Sequence, residues 1–594
     1  MKKNHYFGVF IVIASALVFA GCPLDEDPLD VGVDGVTLNE TGMALYVEDQ
    51  AMLTASVFPE NANNKAVKWS TSDPDIAVVE NGLVTAVGAG NAVITVTTAE
   101  GGFKDTCSVE VLPIIHYSQY GAVGDGVTDD FDAIIKAHAA ANASGAKVKA
   151  DAGMTYYIGG SGSTAVIQTN TDWGNAGFII DDTKASGNGS WLFRVESAQA
   201  SVNILGKVSA LTKNQAQVNL SPPLSAAALI VATDNTTTRY IRSGSNENPG
   251  AAQKDVFIIG ENGSVDMSAP ILWDFNNISA LTAYPIDEKQ LTVTGGRFTT
   301  KADTRPSSAS TGYMNRGIQV RRSNTLIDGL KHEVEGEILE VRPYNGFLNI
   351  VYCANVTVQN TVLTGRRVYN GRGTYDISSD TVVNLNVIKC SQTNDITNNT
   401  WWGIFTSNYS KNIMFNNVSF SRFDAHQGVH NTTILNSELG HQGVSIIGSG
   451  VLRIENTRVY GQNFINLRND YGSTWEGSVT IRNGILIPGD TYLNNARIFN
   501  TSNDGSWNYG YTCFFPETIV IDGFTVQGTA GQSAGVYMIN AVAITSATNG
   551  YNFNNKKIYL SGLNIGLPYR WSGAAGSGTT PASGIMVFDG LPAQ

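Results

Sequence analysis

Short apolar strands that end on an asparagine or glycine corner recur along the second half of the chain, and this pattern most narrows what it can fold into. The phrase occurs at Leu326-Ile327-Asp328-Gly329-Leu330, at Val356 to Val362 and at Ile413 to Val418. It returns around Asn436, Asn456 and Asn483, so that the corners Asn417, Asn436, Asn456 and Asn483 are 19, 20 and 27 residues apart. Later copies fall near Gly523 and Gly562, about two coils apart. A repeat of this length with β-branched strands and no helix between them is a solenoid, in which each coil buries its apolar face only against its neighbours. Asparagines at one corner are expected to form side-chain amide ladders along the stack. Length alone would divide 594 residues into about four domains of roughly 150 each; the repeat replaces that with one long domain.

The chain is 42% hydrophobic and 15% charged, with 62 glycines and a net charge of −13. That composition is globular and turn-rich rather than disordered. A pI near 5.1 excludes nucleic acid as the main partner, because phosphate binding needs an excess of Lys and Arg. At the N-terminus, Lys2 and Lys3 precede an apolar run from Phe7 to Phe19, followed by Ala20, Gly21 and Cys22. The run is too short to span a bilayer at about 1.5 Å per residue and reads as a signal peptide over residues 1–22. No other apolar run is long enough to cross, so membrane contact is expected only through this end. Cys107, Cys353, Cys390 and Cys513 are too widely spaced for a zinc pattern or a dense disulfide framework and are expected to be buried thiols.

Cys22 after Ala-Gly resembles the lipobox of bacterial lipoproteins, with Phe19 departing from the usual aliphatic residue. The acidic linker at 23–30, with Asp25, Glu26 and Asp27, resembles the surface-export signal of lipoproteins from the Bacteroidetes. These resemblances imply a lipidated Cys22 and an outer-membrane lipoprotein facing the cell exterior. Residues 31–112 alternate apolar and polar positions in short runs separated by Asn, Asp, Gly and Pro, as in a small β-sandwich. Val67 to Asp73 followed by Gly82-Leu83-Val84-Thr85-Ala86 resembles the group 2 bacterial immunoglobulin-like domain, which implies a spacer or adhesive module. From Tyr120 the string Gly121 to Asp130 precedes a helical stretch with Phe131, Ile134, Ile135 and His138 on one face, and Asp129 or Asp130 suits its N-cap. This block resembles the opening of the pectate-lyase-like family, which implies a right-handed parallel β-helix over 113–594, an all-β fold whose first helix caps the stack. Its aspartates are accordingly expected to be structural. Whether the last 70 or so residues form coils or a separate cap stays open.

A β-helix carries parallel rows of side chains about 4.8 Å apart, so a site is sought among reactive residues of consecutive coils. His426, His430 and His441 lie within 16 residues, and His-Gln-Gly-Val occurs twice. Arg422 and Asp424 precede them, and the next coil brings Arg468, Asp470, Tyr471 and Glu476. The bland alternative is a solvated turn or a structural hydrogen-bond network. Gly440 to Ser449 loosely resembles the Gly-His-Gly motif of polygalacturonases, but inverting hydrolysis needs paired carboxylates and only Asp424 is well placed.

Elimination on a uronate needs a base, a cation for the sugar carboxylate and an acid for the leaving oxygen. His426 or His441, with an ordinary pKa of about 6.5 tunable by Asp424, suits the base. Arg468 or Arg422 suits the cation, and Tyr471 the acid. Residues 297–372 hold 11 Lys plus Arg against 6 Asp plus Glu, a net of +5 dominated by Arg316, Arg321, Arg322, Arg342, Arg366, Arg367 and Arg372. Arginine binds carboxylate and sulfate in bidentate fashion. Arg342, Arg366 and Arg367, with Arg422 and His430, are therefore expected along a groove for an anionic polymer, where Tyr344, Tyr375, Trp401 and Trp402 would stack on sugar rings. No motif requires a cofactor. No tight acidic cluster would cage Ca2+, and an ion bridged by substrate at Asp424, Asp470 or Glu476 stays open. The reading is a surface polysaccharide lyase acting on a glycosaminoglycan or pectic polymer, beside other surface proteins of glycan use. A glycoside hydrolase or a non-catalytic glycan binder on the same scaffold are the alternatives.

Overall fold

The computed structural model describes residues 30–592 except 243–248, 306–311, 339–341, 368–373, 490–492, 503–507, 529–534, 543 and 545–548. The signal segment, Cys22, the linker up to residue 29 and Arg372 lie outside the described residues. The chain divides into two compact units after Leu112.

The first unit is a small β-sandwich. One sheet orders Gly42–Tyr46, Lys104–Leu112, Gly90–Thr98 and Val67–Thr71, and a second orders Gln50–Met52, Leu83–Ala86 and Ala77–Glu80. Alternation drives its folding. Along Gly90–Thr98, Ala92, Ile94 and Val96 are buried against Val84, Cys107 and Val109, while the residues between them are less covered.

The second unit is one parallel sheet wound into coils. Among the described residues its 32 strands run from Ile114–His116 to Ile585–Asp589. Thr518–Asp522 pairs with Lys556–Ser561 and that strand with Ile585–Asp589, all in parallel, so the C-terminal residues continue the coils. The helix Phe131–Ser144 buries Phe131, Ile134 and His138 against the first coils. Asp130 is its N-cap residue but makes no side-chain cap bond; its carboxylate accepts the amides of Val123 and Gly124 instead. Asp129 accepts from Phe131 and Gly159, and Asp125 from Val127 and Thr128, so the aspartates hold the loop together.

The corners are asparagines because the chain there turns through left-handed backbone, which few side chains other than Asn tolerate. Asn436, Asn456 and Asn483 all have φ near +50° and are bonded amide to amide at 2.9–3.0 Å, with Asn416 at the foot of the row. A second ladder climbs another corner through Asn324, Asn355, Asn384, Asn412 and Asn431, with steps of 31, 29, 28 and 19 residues. Its uneven steps hide it from a search for a fixed period.

One segment breaks the winding. Val202–Asn203, Ala280–Pro285, Ala228–Arg239 and Ala251–Ile259 form a four-stranded antiparallel sheet inserted between coils, where a continuous β-helix was expected. Leu229 and Val231 pack on Ala354 and Val383 of the coils, while Ile230 and Ala232 build a separate core with Phe257 and Phe275. The run Ala228 to Ala232 is apolar throughout because both of its faces are covered.

Two outcomes follow. Asn384 has φ +61°, donates to Asn355 and accepts from Asn412. Asn384→Ala should cost about 2–4 kcal/mol in urea unfolding, from two lost hydrogen bonds and the left-handed strain on alanine, and Asn384→Gly about half as much. His138 is buried beside Tyr117, and burial lowers its pKa from 6.5 to about 3. The unfolded chain takes up a proton near pH 6.5 that the fold refuses until about pH 3. Stability is therefore full above 6.5 and falls as the pH drops through that window. His138→Gln should reduce the slope of stability against pH there by about 1.4 kcal/mol per unit.

Candidate active site

Parallel register sets one outward row of side chains on the sheet that carries the site. Gln319, Asn349, Ser378 and Thr406 lie in successive coils. Asp424 follows, and above it come Ser445, Asn466, Asn500, Asn540 and Ser572. Most of these bond to the neighbour below or above: Gln319 to Asn349 at 3.0 Å, Asn500 to Asn466 at 2.7 Å, Asn540 to Asn500 at 2.8 Å. Phe423 and Ala425, on either side of Asp424, point into the core. Asp424 thus puts a lone carboxylate in the middle of a column of neutral hydrogen-bonding groups.

That carboxylate is fully buried and draws partners from four directions. Arg422 bonds Oδ2, Arg468 donates to Oδ1 at 2.6 Å, Tyr375 donates its hydroxyl to Oδ2 at 2.7 Å, and His426 Nε2 lies 2.9 Å from Oδ2. Arg468 also forks onto Asp470 at 2.8 and 3.1 Å, and Asp470 meets Arg242 at 2.7 Å. The result is an alternating string, Arg422–Asp424–Arg468–Asp470–Arg242, with one positive charge in excess. Burial opposes ionisation of Asp470, yet Arg468 and Arg242 hold it below the usual carboxylate range.

Among the groups bonded directly to Asp424, His426 is the most exposed, with 24% of its side chain exposed against 11% for Arg468 and 3% for Arg422. Desolvation, with Arg468 and Arg422 beside it, holds its pKa well below 6.5, so it is a neutral imidazole at neutral pH. A carboxylate oxygen only accepts hydrogen bonds, so Nε2 carries the hydrogen and Nδ1 the lone pair. Tyr375 Oη is also 3.1 Å from Nε2.

The cluster therefore contains Asp424, His426, Arg422 and Arg468 from the sequence reading and adds Tyr375, Asp470 and Arg242 in these roles. Other expected residues sit elsewhere. Tyr471, expected as the acid, is buried under Arg468 and Arg242, so the hydroxyl at the centre is that of Tyr375. His441 turns to the carbonyl of Ile396 at 3.4 Å, while its neighbour Gln442 meets Arg422 at 3.4 Å. His430 bonds Ser449 and lines a separate cavity. Trp402 lies beneath the Arg422 guanidinium at 4.9 Å and Trp401 beneath that of Arg367 at 5.4 Å.

Arg316, Arg322, Arg342 and Arg366 of the basic stretch are paired with carboxylates, while Arg297 and Arg321 are exposed. Arg316 is buried against Asp182, Arg322 against Asp287, and Arg366 against Glu337 and Asp376 with its guanidinium over buried Tyr344. Arg342 reaches Asp303 at 3.6 Å and the carbonyl of Gly187. Asp182, Asp287 and Asp376 lie outside residues 297–372, so a local charge count cannot see them. The oxygen donors considered for Ca2+ are committed likewise: Asp424 and Asp470 to arginines, Glu476 to Lys213 at 3.1 Å. Among the described residues no group of three His, Cys, Asp or Glu is placed to hold a metal ion.

Residues 32–109 match the bacterial Ig-like domain (group 2). An alpha-L-arabinofuranosidase of Bifidobacterium longum subsp. longum is 40% identical over 98 residues, which is 16% of this chain and 9% of that protein. A minor capsid protein of Enterobacteria phage T3 is 44% identical over 78 residues, 12% of this chain and 18% of that protein. The chain thus spans less than a fifth of either relative, over a stretch of about the size of the Ig-like domain. Among solved structures, the tailspike gp61 of Pseudomonas phage phi297 is similar with a TM-score of 0.48 and 13% identity, over 77% of this chain and 84% of that one. The A-module of mannuronan C-5 epimerase AlgE4 from Azotobacter vinelandii gives a TM-score of 0.31 and 12% identity, over 80% and 99%. The N-terminal unit is a group 2 bacterial immunoglobulin-like domain, and in the same chain it precedes a right-handed parallel β-helix.

Proposed function

We propose that this chain is a surface polysaccharide lyase that cleaves an acidic, uronate-containing polymer by β-elimination at the Asp424 cluster. Lipidation of Cys22 would anchor it at the outer membrane, facing outward, with the Ig-like domain as a spacer. The observation that carries the reading is His426: a solvent-facing neutral imidazole whose Nδ1 lone pair is open, backed by a carboxylate and set among guanidiniums. In elimination the C5–H bond breaks and its proton passes to His426, the electron pair forms the C4–C5 double bond, and the C4–O bond breaks. Asp424 steadies the imidazolium that forms. The proton taken up by His426 then passes to the leaving oxygen, while Tyr375, buried and donating to Asp424, holds the carboxylate behind the base.

The low pKa of His426 would make it a weak base in the empty site. A bound uronate carboxylate offsets the charges of Arg422 and Arg468 that depress it, so the substrate itself raises the base toward its working range. Hydrolysis is less well supported. It needs one carboxyl to stay protonated as general acid, and Asp470 is held ionised by two arginines.

The test is ultraviolet absorbance from the unsaturated uronate while the protein digests a panel of glycosaminoglycans and pectic polymers. New reducing ends without absorbance would replace the lyase by a hydrolase, and neither signal would leave a binder. His426→Ala should lower kcat/KM at least about 100-fold without unfolding the protein. The acid limb of kcat/KM, which reports the free enzyme, should lie below pH 6.5, and the limb of kcat should lie at a higher pH than that of kcat/KM. Arg468→Ala should abolish turnover and cost about 3–5 kcal/mol in denaturant unfolding, because it leaves Asp424 and Asp470 each short of a buried cation.

A further inference from the structure

Around the corner from the Asp424 cluster, the inserted sheet roofs a cavity of about 570 Å3 against five consecutive coils. That volume is typical of small-molecule sites. Lys213, Arg239, Lys254 and Trp273 come from the insertion, and Tyr409, His430, Gly450 and Phe514 from the coils. The coil side is kept clear by glycines. A Cβ on Gly428 would lie 2.2 Å from the Tyr240 hydroxyl, and one on Gly450 would lie 2.8 Å from the His430 ring. Tyr240 stands between the two sites: it lines the cavity, and its ring is 6.4 Å from that of Tyr471, which supports Arg468.

The charges around the cavity do not cancel. Lys411 is paired with Asp255 at 2.7 Å, Lys213 with Glu476 at 3.1 Å and Glu517 with Lys556 at 2.9 Å. Arg239 bonds two neutral acceptors, Gln253 Oε1 at 2.7 Å and the carbonyl of Gly510 at 3.1 Å, and packs 3.8 Å over Trp273. Lys254 lies 4.7 Å over the Tyr409 ring. Among the described residues neither has a carboxylate within ion-pair distance. Among the described residues, then, two cations that form no ion pair, each laid on an aromatic plate, face one concave space. Polar groups of His430, Ser449 and Thr474 rim it. Hydroxyl and imidazole groups suit the edge of a sugar ring, and Lys and Arg held on aromatic plates suit a carboxylate or sulfate on it.

We infer that this cavity is a second saccharide site, separate from the Asp424 cluster, which holds an anionic sugar with its acidic group toward Lys254 and Arg239, the latter held in place by Trp273, and its hydroxyl edge toward His430, Ser449 and Thr474. Binding there does not require catalysis, so the inference stands or falls apart from the lyase reading.

The test is calorimetric titration of the full chain with glucuronate, galacturonate and galactose 6-sulfate, with glucose and galactose as neutral controls. It is repeated in a His426→Ala background, which removes the exposed imidazole of the Asp424 cluster, and the cavity variants below separate binding in the cavity from binding at the Arg422 and Arg468 guanidiniums. We expect at least one anionic sugar to bind with at least tenfold preference over its neutral counterpart and with affinity unchanged by His426→Ala. The carboxylated and sulfated arms identify which acid the cavity prefers. Lys254→Gln and Trp273→Phe, each checked for an unchanged thermal midpoint, should weaken that binding at least tenfold. Equal binding of neutral sugars would overturn the charge argument. Binding insensitive to both cavity variants, binding lost on His426→Ala, or no binding by any sugar would overturn the site itself.

Discussion

Parallel pairing between coils fixes what lies above and below every residue, and the rest of the molecule follows from that constraint. A neutral amide suits such a column because each side chain can donate one way and accept the other, as Asn466, Asn500 and Asn540 do. A carboxylate in the same column only accepts, so its neighbours above and below cannot satisfy it and its charge must be met from the side. Asp424 recruits Arg422 from its own strand, Arg468 from the next coil but one and Tyr375 from two coils below. The site is thus the lateral compensation for one charged residue in a neutral row, and of the groups bonded to Asp424 the one left most exposed is His426.

The same register explains what could be read in the sequence. Asn436, Asn456 and Asn483 were visible because left-handed corners select asparagine and their spacing is nearly regular. The ladder from Asn324 to Asn431 was not, because the arcs between its rungs differ by up to a dozen residues. Asp424, His426 and Arg468 stood out through local density of reactive side chains. Tyr375 reaches Asp424 across 49 residues and Arg242 pairs with Asp470 from within the insertion, so neither carries a local signal. In the basic stretch, Arg316, Arg322 and Arg366 pair with Asp182, Asp287 and Asp376, which a local charge count leaves out.

The insertion from Val202 to Pro285 was also invisible as a separate element. Its strands are as β-branched and apolar as those of a coil, and only their antiparallel pairing sets them apart. Placed between coils rather than at an end, it folds back over the corners near Tyr409 and His430 and turns an open edge into an enclosed space. The scaffold supplies rows, and the excursion supplies concavity.

The step from Asn456 to Asn483 is seven residues longer than the one before it, yet the amide bond across it is 2.9 Å, as short as any in that row. The added length is taken up in the arc that carries Arg468, Asp470 and Trp475, while the strands on either side keep their register. A coil can therefore lengthen on its outer arc without disturbing the corner. Evolution can rewrite the reactive loops of such a protein one coil at a time, with inheritance of the frame decoupled from innovation at its rim.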